Sequence, residues 1–340
     1  MLALFTEEQQ MLAQVVTDLA ASIGLDNPSD LDSVDGDRGW SEIQAVGLLG
    51  LRQREHGVPA ASAVEVMIAA EALATRLVPQ PYLGAAVLPG ELLALAGAPA
   101  ERPGEIADGT ARGCVLLRPD VGELASPPFD GAVAWDCAGA TFAVAVDVPS
   151  GRVTHHRVTA LDPLEAADLT RTVAEISIGP AEEVGEISAA DLDRWYALAL
   201  VVVSADVVGS MRGGLGGAVA YTKERFQFGV PVGSFQAVQH LCADALVKVE
   251  GAASTIKYAA WAVDELDPAE ALLAARTAKA YTANVARDVG ETVMQVYGGI
   301  GQTWEHLAHF HLRRQMVTAQ VLGDGAAQLA FIADARLGAA

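Results

Sequence analysis

The chain has 340 residues, about half of them apolar, and 43 Asp and Glu against 22 Lys and Arg give a formal net charge of −21. That length exceeds one packed core, since single cores stop growing near ~250–300 residues. The charge argues against a nucleic-acid partner, because counterion release needs clustered cations, and no run approaches the ~18 uncharged residues of a membrane span. The most apolar stretch, YALALVVVSADVV at 196–208, is interrupted by Asp206 and reads as a buried helix. The opening MLALFTEEQQ lacks the basic region of a secretory signal. Cys114, Cys137 and Cys242 are odd in number and far apart, which suits reduced thiols in a cytoplasmic protein with no disulfide or zinc framework.

Residues 1–102 read as a helical domain. Thr6 with Gln9, Ser41 with Gln44 and Ser62 with Glu65 have the spacing of capping boxes. Met11, Val15, Val16 and Leu19 follow a 3.6-residue period, and SAVEVMIAAEALATRL at 62–77 predicts a second strong helix. Residues 103–187 change texture. The β-prone runs GCVLL, TFAVAVDV, GRVTHHRV and VAEISIG, separated by Gly, Pro and Asp, predict a small β-domain. From 188 to 340 the chain is helical again, with Ala-rich segments near 190–222, 236–264, 270–298 and 303–320. Several are apolar on more than one face, which suits a four-helix bundle that also packs on other subunits. Helices, strands and helices in non-alternating order give an α+β multi-domain fold.

Two stretches carry the chemistry. In RFQFGVPVGSFQAVQH, Arg225 ends a helix that Gly229, Pro231 and Gly233 break, and Ser234 could cap the next one. A guanidinium there can fork onto a pyrophosphate, Phe228 can stack on a planar ring, and Gln227 and Gln236 can read polar edges. The competing reading is a tight turn with Arg225 paired to a local carboxylate. In QVYGGIGQTWEHLAHFHLRR, Gln295 precedes Gly298, Gly299 and Gly301, whose bare backbone allows close approach to a phosphate or an adenine. Other patterns weigh less. His306, His309 and His311 do not share one helix face, so no metal site is expected. GGLGGA at 213–218 follows a helical run, which favours close helix packing. His155 and His156 lie in a hairpin context without partner ligands.

Together the two stretches resemble the acyl-CoA dehydrogenase family. The matching residues are Arg225, Gln227, Phe228, Gly229, Gly233, Phe235 and Gln236, then Gln295, Gly298, Gly299, Gly301, Thr303, Glu305, Arg313 and Arg314. The resemblance runs through nearly the whole chain and implies an acyl-CoA dehydrogenase-like fold. It also implies α,β-desaturation of an acyl-CoA thioester, in which a carboxylate takes the α-proton and FAD takes the hydride. It further implies that FAD crosses a subunit interface. Arg225, Gln227, Phe228, Gln236, Gln295, Gly298 and Gly299 would then hold the ADP half of a neighbour's cofactor.

The ring half of the family pattern is broken. A Thr-Glu-Pro loop is replaced by LLRPDVGEL at 116–124, and Trp135 is followed by Asp136 and Cys137 instead of Ser or Thr. One family position for the base falls at Asp324 in VLGDGAAQ, a methylene shorter than Glu, and ~1 Å of misplacement can cost ~100-fold in rate. The other register falls at Ala199, which has no carboxylate. Asp324 is therefore the single candidate for a catalytic residue, and an N-cap ahead of GAAQLAFIADARL is the favoured reading of it. The chain thus resembles the short non-catalytic subunit of heteromeric α2β2 bacterial acyl-CoA dehydrogenases. A longer acyl-CoA dehydrogenase subunit would supply the ring seat and base, and an electron-transfer flavoprotein-like carrier would accept the electrons. A vacated second site would leave room for a bulky acyl group such as a steroid side-chain CoA. The rival readings are a self-sufficient homo-oligomer with Asp324 as base and a flavin-free structural subunit.

Overall fold

The computed structural model describes residues 4–338. The reading of the first ten residues therefore lies partly outside the described residues. Helix α1 (Glu7–Ile23) opens on the expected box, in which Thr6 accepts from Gln9 N and Gln9 returns the bond to Thr6 N. Helix α2 (Gly36–Ala45) begins earlier than Ser41 suggests. Asp35 caps it through Asp37 N and Arg38 N, while Ser41 sits inside the helix and donates back to Asp37 O. Ser62 caps α3 (Ala63–Thr75) through Val64 N. A π-helical turn, Leu83–Val87, leads into α4 (Leu88–Leu95), and α5 (Glu101–Ala107) crosses the boundary expected at 102/103.

Four antiparallel strands follow: β1 (Val133–Trp135), β2 (Phe142–Asp147), β3 (Arg152–Pro163) and β4 (Val173–Glu186), in the order β1-β4-β3-β2. The run GCVLL forms no full strand, yet it closes the sheet. Leu117 exchanges backbone bonds with Val133 at one edge, while Cys114 and Leu116 bond Phe142 and Val144 at the other. A closed sheet leaves no edge for another chain to pair with. Side chains alternate as the pleat requires. Ala134, Ala143, Ala145 and Ala174 fill the small interior with Cys114 and Cys137, while Val133, Trp135, Val144 and Val146 face the helical core.

The bundle is built on α6 (Ala189–Glu224), α7 (Gln236–Glu265) and α8 (Pro268–Tyr297), with α9 (Ala308–Thr318) and α10 (Gly325–Leu337) against it. Helix α6 is long and apolar enough to cross a membrane, but 89% of its apolar window is buried inside the fold. Its neighbours account for that apolarity. Trp195 Nε1 bonds Leu88 O, and Gly209 and Gly213 let the α3 backbone approach so closely that a Cβ would stand 2.1 Å from Glu71 O or 2.2 Å from Thr75 O.

One buried ionic lattice joins the three parts. Asp206 of α6, fully buried, accepts from Arg314 of α9 (2.6 and 3.0 Å) and from Arg171 of the β3–β4 loop (2.5 Å). Arg171 also donates to Asp136 (2.6 Å) and Gln80 O, and Arg314 donates to Val78 O and Thr170 Oγ1. Burial alone would raise the Asp206 pKa, but Arg314 and Arg171 hold it down at about 2. Beside them Lys279 of α8 is fully enclosed, donates to Thr318 O, and is pushed by burial to a pKa of about 7 against the pull of Asp206 and Asp324.

The folded chain therefore releases the Lys279 proton near neutrality, whereas the unfolded chain keeps it to a pH of about 10.4. Stability should rise with pH across that window, and Lys279→Met should flatten the rise. A melting-temperature profile against pH for the two proteins checks this, and equal slopes would contradict it.

Candidate functional site

Short turns join α6 to α7 and α7 to α8, and α6 packs directly on α8, so α7 runs antiparallel to both and the C-termini of α6 and α8 and the N-terminus of α7 lie at one end. Tyr221 and Tyr297, near the two C-termini, confirm the adjacency with ring centroids 5.1 Å apart. Both chemistry-bearing stretches are thus brought to the same face, although 70 positions separate Arg225 from Gln295.

The α6–α7 connection is a two-residue ribbon, Phe226–Gln227 paired with Val230–Pro231. Its tip is Phe228-Gly229, with φ of 51° and 81°, the positive pair that a two-residue hairpin needs. Gly229 adopts this freely, but Phe228 is strained there, and its ring is 93% exposed. Arg225, Gln227 and Gln236 are also exposed, and the Arg225 guanidinium forms no ion pair among the described residues. The paired-arginine reading of this turn is therefore set aside. Ser234 does not cap α7; it donates to Pro231 O, and Phe235 occupies the cap position. On the neighbouring turn, Gln295 and Gly299 are exposed and Gly298 has φ of 65°, where a side chain would be strained. Trp304, which the sequence alone did not single out, is also exposed; it packs its edge on His309 and lies under Arg313.

The ADP half of a dinucleotide fits this end of the bundle: a guanidinium with no ion pair among the described residues, an outward aromatic ring, the three amides of Gln227, Gln236 and Gln295, and bare glycine backbone. The ring half does not fit the β-unit. Asp136, which follows Trp135, accepts from Leu83 N (3.1 Å), Gly84 N (2.9 Å) and Arg171, all within the buried core. A Cβ on Gly84 would stand 2.2 Å from Trp135 O, so no gap separates the β-unit from the π-turn. The 118–124 turn likewise meets the bundle directly, Leu322 N donating to Val121 O (2.9 Å).

Asp324 stands at the N-cap of α10 and accepts from Ala327 N at 2.8 Å. The three histidines of EHLAHFH have separate structural partners. His306 Nδ1 accepts from Ala308 N, His309 packs edge-on against Trp304 and at a tilt against Phe310, and His311 bonds Ser210. Burial, with Arg314 nearby, lowers the His311 pKa to about 3. Among the described residues no three His, Cys, Asp or Glu side chains could hold a metal ion. The glycines of GGLGGA serve packing: Gly213 meets Thr75 and His311, and Gly217 meets Tyr297.

A family model of the acyl-CoA dehydrogenase C-terminal domain matches residues 200–337. The acyl-CoA dehydrogenase IpdE2 of Mycobacterium tuberculosis is 30% identical over 328 residues, covering 93% of each chain. This chain belongs to the acyl-CoA dehydrogenase family. A shorter match, 41% identical over 155 residues, links 45% of the chain to 21% of acyl-CoA dehydrogenase FadE34 of the same species. Two solved structures share the family fold. The ChsE4-ChsE5 complex from Mycobacterium tuberculosis is 24% identical, with a TM-score of 0.83 and complete coverage of both chains. The Tcur3481-Tcur3483 steroid ACAD G363A variant is 22% identical, with a TM-score of 0.82 over 96% of this chain and 97% of that one.

The cap geometry of Asp324 makes a prediction that separates its two readings. Asp324→Asn keeps an equivalent cap and should leave both stability and the activity of the purified assembly unchanged. Asp324→Ala should cost about 1 kcal/mol in denaturant unfolding. Loss of turnover in the Asn variant would make the carboxylate catalytic.

Proposed function

We propose that this chain is a subunit of a flavin-dependent acyl-CoA dehydrogenase and supplies the ADP-binding half of a FAD site shared with a longer catalytic partner. The observation that carries this reading is Phe228. A bare aromatic ring on a strained backbone costs stability in the isolated chain and is retained where it meets a ligand.

In this reading Arg225 forks onto the pyrophosphate, Phe228 covers the adenine side, and Gln227, Gln236 and Gln295 accept or donate at polar edges. The Gly298-Gly299 backbone lets the cofactor lie close. Bound FAD would accept the β-hydrogen as hydride while the partner's carboxylate takes the α-proton of the acyl-CoA. This chain holds the cofactor in place and contributes no base, because Asp324 is engaged as a cap. The exposed Phe226 of the hairpin and Leu241, Leu246 and Val247 of α7 would be covered by the partner in an α2β2 assembly. The two-component names of both structural neighbours support a heteromer. The steroid named for one of them supports a steroid side-chain CoA thioester as substrate. An electron-transfer flavoprotein-like carrier would take the electrons, in the cytoplasm.

Arg225→Ala in the co-purified complex should lower its bound FAD at least tenfold, read as visible flavin absorbance per protein. Phe228→Ala should also lower it, in line with the ~1–3 kcal/mol typical of base–aromatic stacking. A complex that keeps its full flavin after Arg225→Ala would favour a purely structural subunit. A yellow, active protein purified alone would favour the self-sufficient enzyme.

A further inference from the structure

We propose that a cleft between α3, α6 and the start of α9 is a binding site for an uncharged purine nucleoside. None of the seven residues assigned above to the ADP grip lines it, and the proposal does not depend on the shared-cofactor reading.

The cleft encloses about 440 Å³, inside the ~300–1,000 Å³ of small-molecule sites. One wall is the backbone of α6 at Gly213, Gly216 and Gly217. Two of these glycines have neighbours that explain them. A Cβ on Gly213 would stand 2.6 Å from His311 Cε1, and one on Gly217 would stand 2.7 Å from Tyr297 Oη. Gly216 has no such neighbour, since nothing lies within 4 Å of the place its Cβ would take. Glycine weakens a helix interior, and no group of this chain uses the room that Gly216 leaves. A flat ligand lying on the helix backbone would use it.

Two polar side chains, each more than nine-tenths buried, end in the cleft without a partner. Tyr297 is 8% exposed, and its hydroxyl makes no hydrogen bond among the described residues. His311 is 7% exposed; Ser210 engages its Nδ1 at 3.2 Å, and Nε2 has no partner among the described residues. Buried polar atoms are nearly always hydrogen-bonded, so an open hydroxyl and an open imidazole nitrogen call for a ligand that supplies the bonds. They stand over Gly217 and Gly213, four residues and hence ~6 Å apart along the helix. A fused ring with polar groups on opposite edges reaches both, and the Tyr297–His306 ring pair, with centroids 4.2 Å apart, gives it an aromatic side.

Charge selects against an anion. Arg76 is paired with Asp26, and Arg212 with Glu71 and Glu250. Burial keeps His306 and His311 neutral, His311 with a pKa of about 3. Both guanidinium groups of the cleft are thus engaged already, while exposed Glu305 at the rim has no ion pair among the described residues and repels a phosphate. The rim carboxylates of Asp26 and Glu305 accept hydrogen bonds only, which suits the hydroxyls of a ribose.

The full-length chain, alone and in its co-purified complex, is titrated with adenosine and with guanosine by calorimetry and thermal melting. Saturable binding of one nucleoside per chain and a raised melting temperature are expected, with AMP weaker and inorganic phosphate without effect. Gly216→Leu should weaken binding ~tenfold or more, because its side chain fills the wall, and should leave the flavin content of the complex unchanged. Tyr297→Phe should weaken it about fivefold through one lost hydrogen bond. Without nucleoside, Gly216→Ala should raise the melting temperature. No binding at millimolar nucleoside, tighter binding of AMP or phosphate, or full affinity in Gly216→Leu would each overturn the site. Nucleoside binding lost in Arg225→Ala would place the ligand on the hairpin and overturn it as well. An Arg225→Ala complex that keeps its flavin would sink the shared-cofactor reading and leave this site standing. Should Gly216→Leu not fold, the Tyr297→Phe and Arg225→Ala titrations decide.

Discussion

Asp206 accepts hydrogen bonds from two guanidinium groups at the centre of the molecule, and the arrangement of the other parts follows from it. Each arginine comes from a different place, Arg171 from the β-unit and Arg314 from α9, and both also bind main-chain carbonyls of the segment after α3. Removing one member of such a set leaves a buried charge without its counter-charge, at a cost of about 3–5 kcal/mol. Apolar packing alone would tolerate sliding between layers. The ionic lattice does not, since each fork has one geometry, and so it fixes how the β-unit sits on the helices. A second set repeats the device within α4, where Glu91 holds Arg52 and Arg54, and Arg52 reaches Asp264 of α7.

The molecule divides its strain and exposure unequally. The interior is closed by paired charges and by glycines that let helices touch. The far end of the bundle presents what folding by itself disfavours: Phe228 in a left-handed setting, Arg225 without an ion pair among the described residues, and apolar side chains along the first half of α7.

Much of this was legible in the order of residues. Helix periods, the Thr6 box, the alternating Ala and Val of the β-unit, and the paired stretches at 225 and 295 are local patterns set by side-chain size and backbone freedom. They gave the α+β fold, the three compositional zones and the family. Asp324 was readable as a cap because an N-cap depends on the three residues that follow it. The errors were also local. Ser41 matched a box but lay inside a helix that Asp35 had already capped, and GCVLL read as a strand but only closes the sheet through scattered bridges.

What the linear chain did not contain is which distant groups would meet. Asp136 looked in sequence like a poor substitute for a hydroxyl, and only the fold shows that it binds the π-turn and Arg171. Arg314 read as half of a family arginine pair, and only the fold places it on Asp206, 108 positions away. Local patterning is decided by neighbours within a few residues and survives in the sequence. The pairing of buried charges is decided by three layers closing on one another, and it exists only once they have.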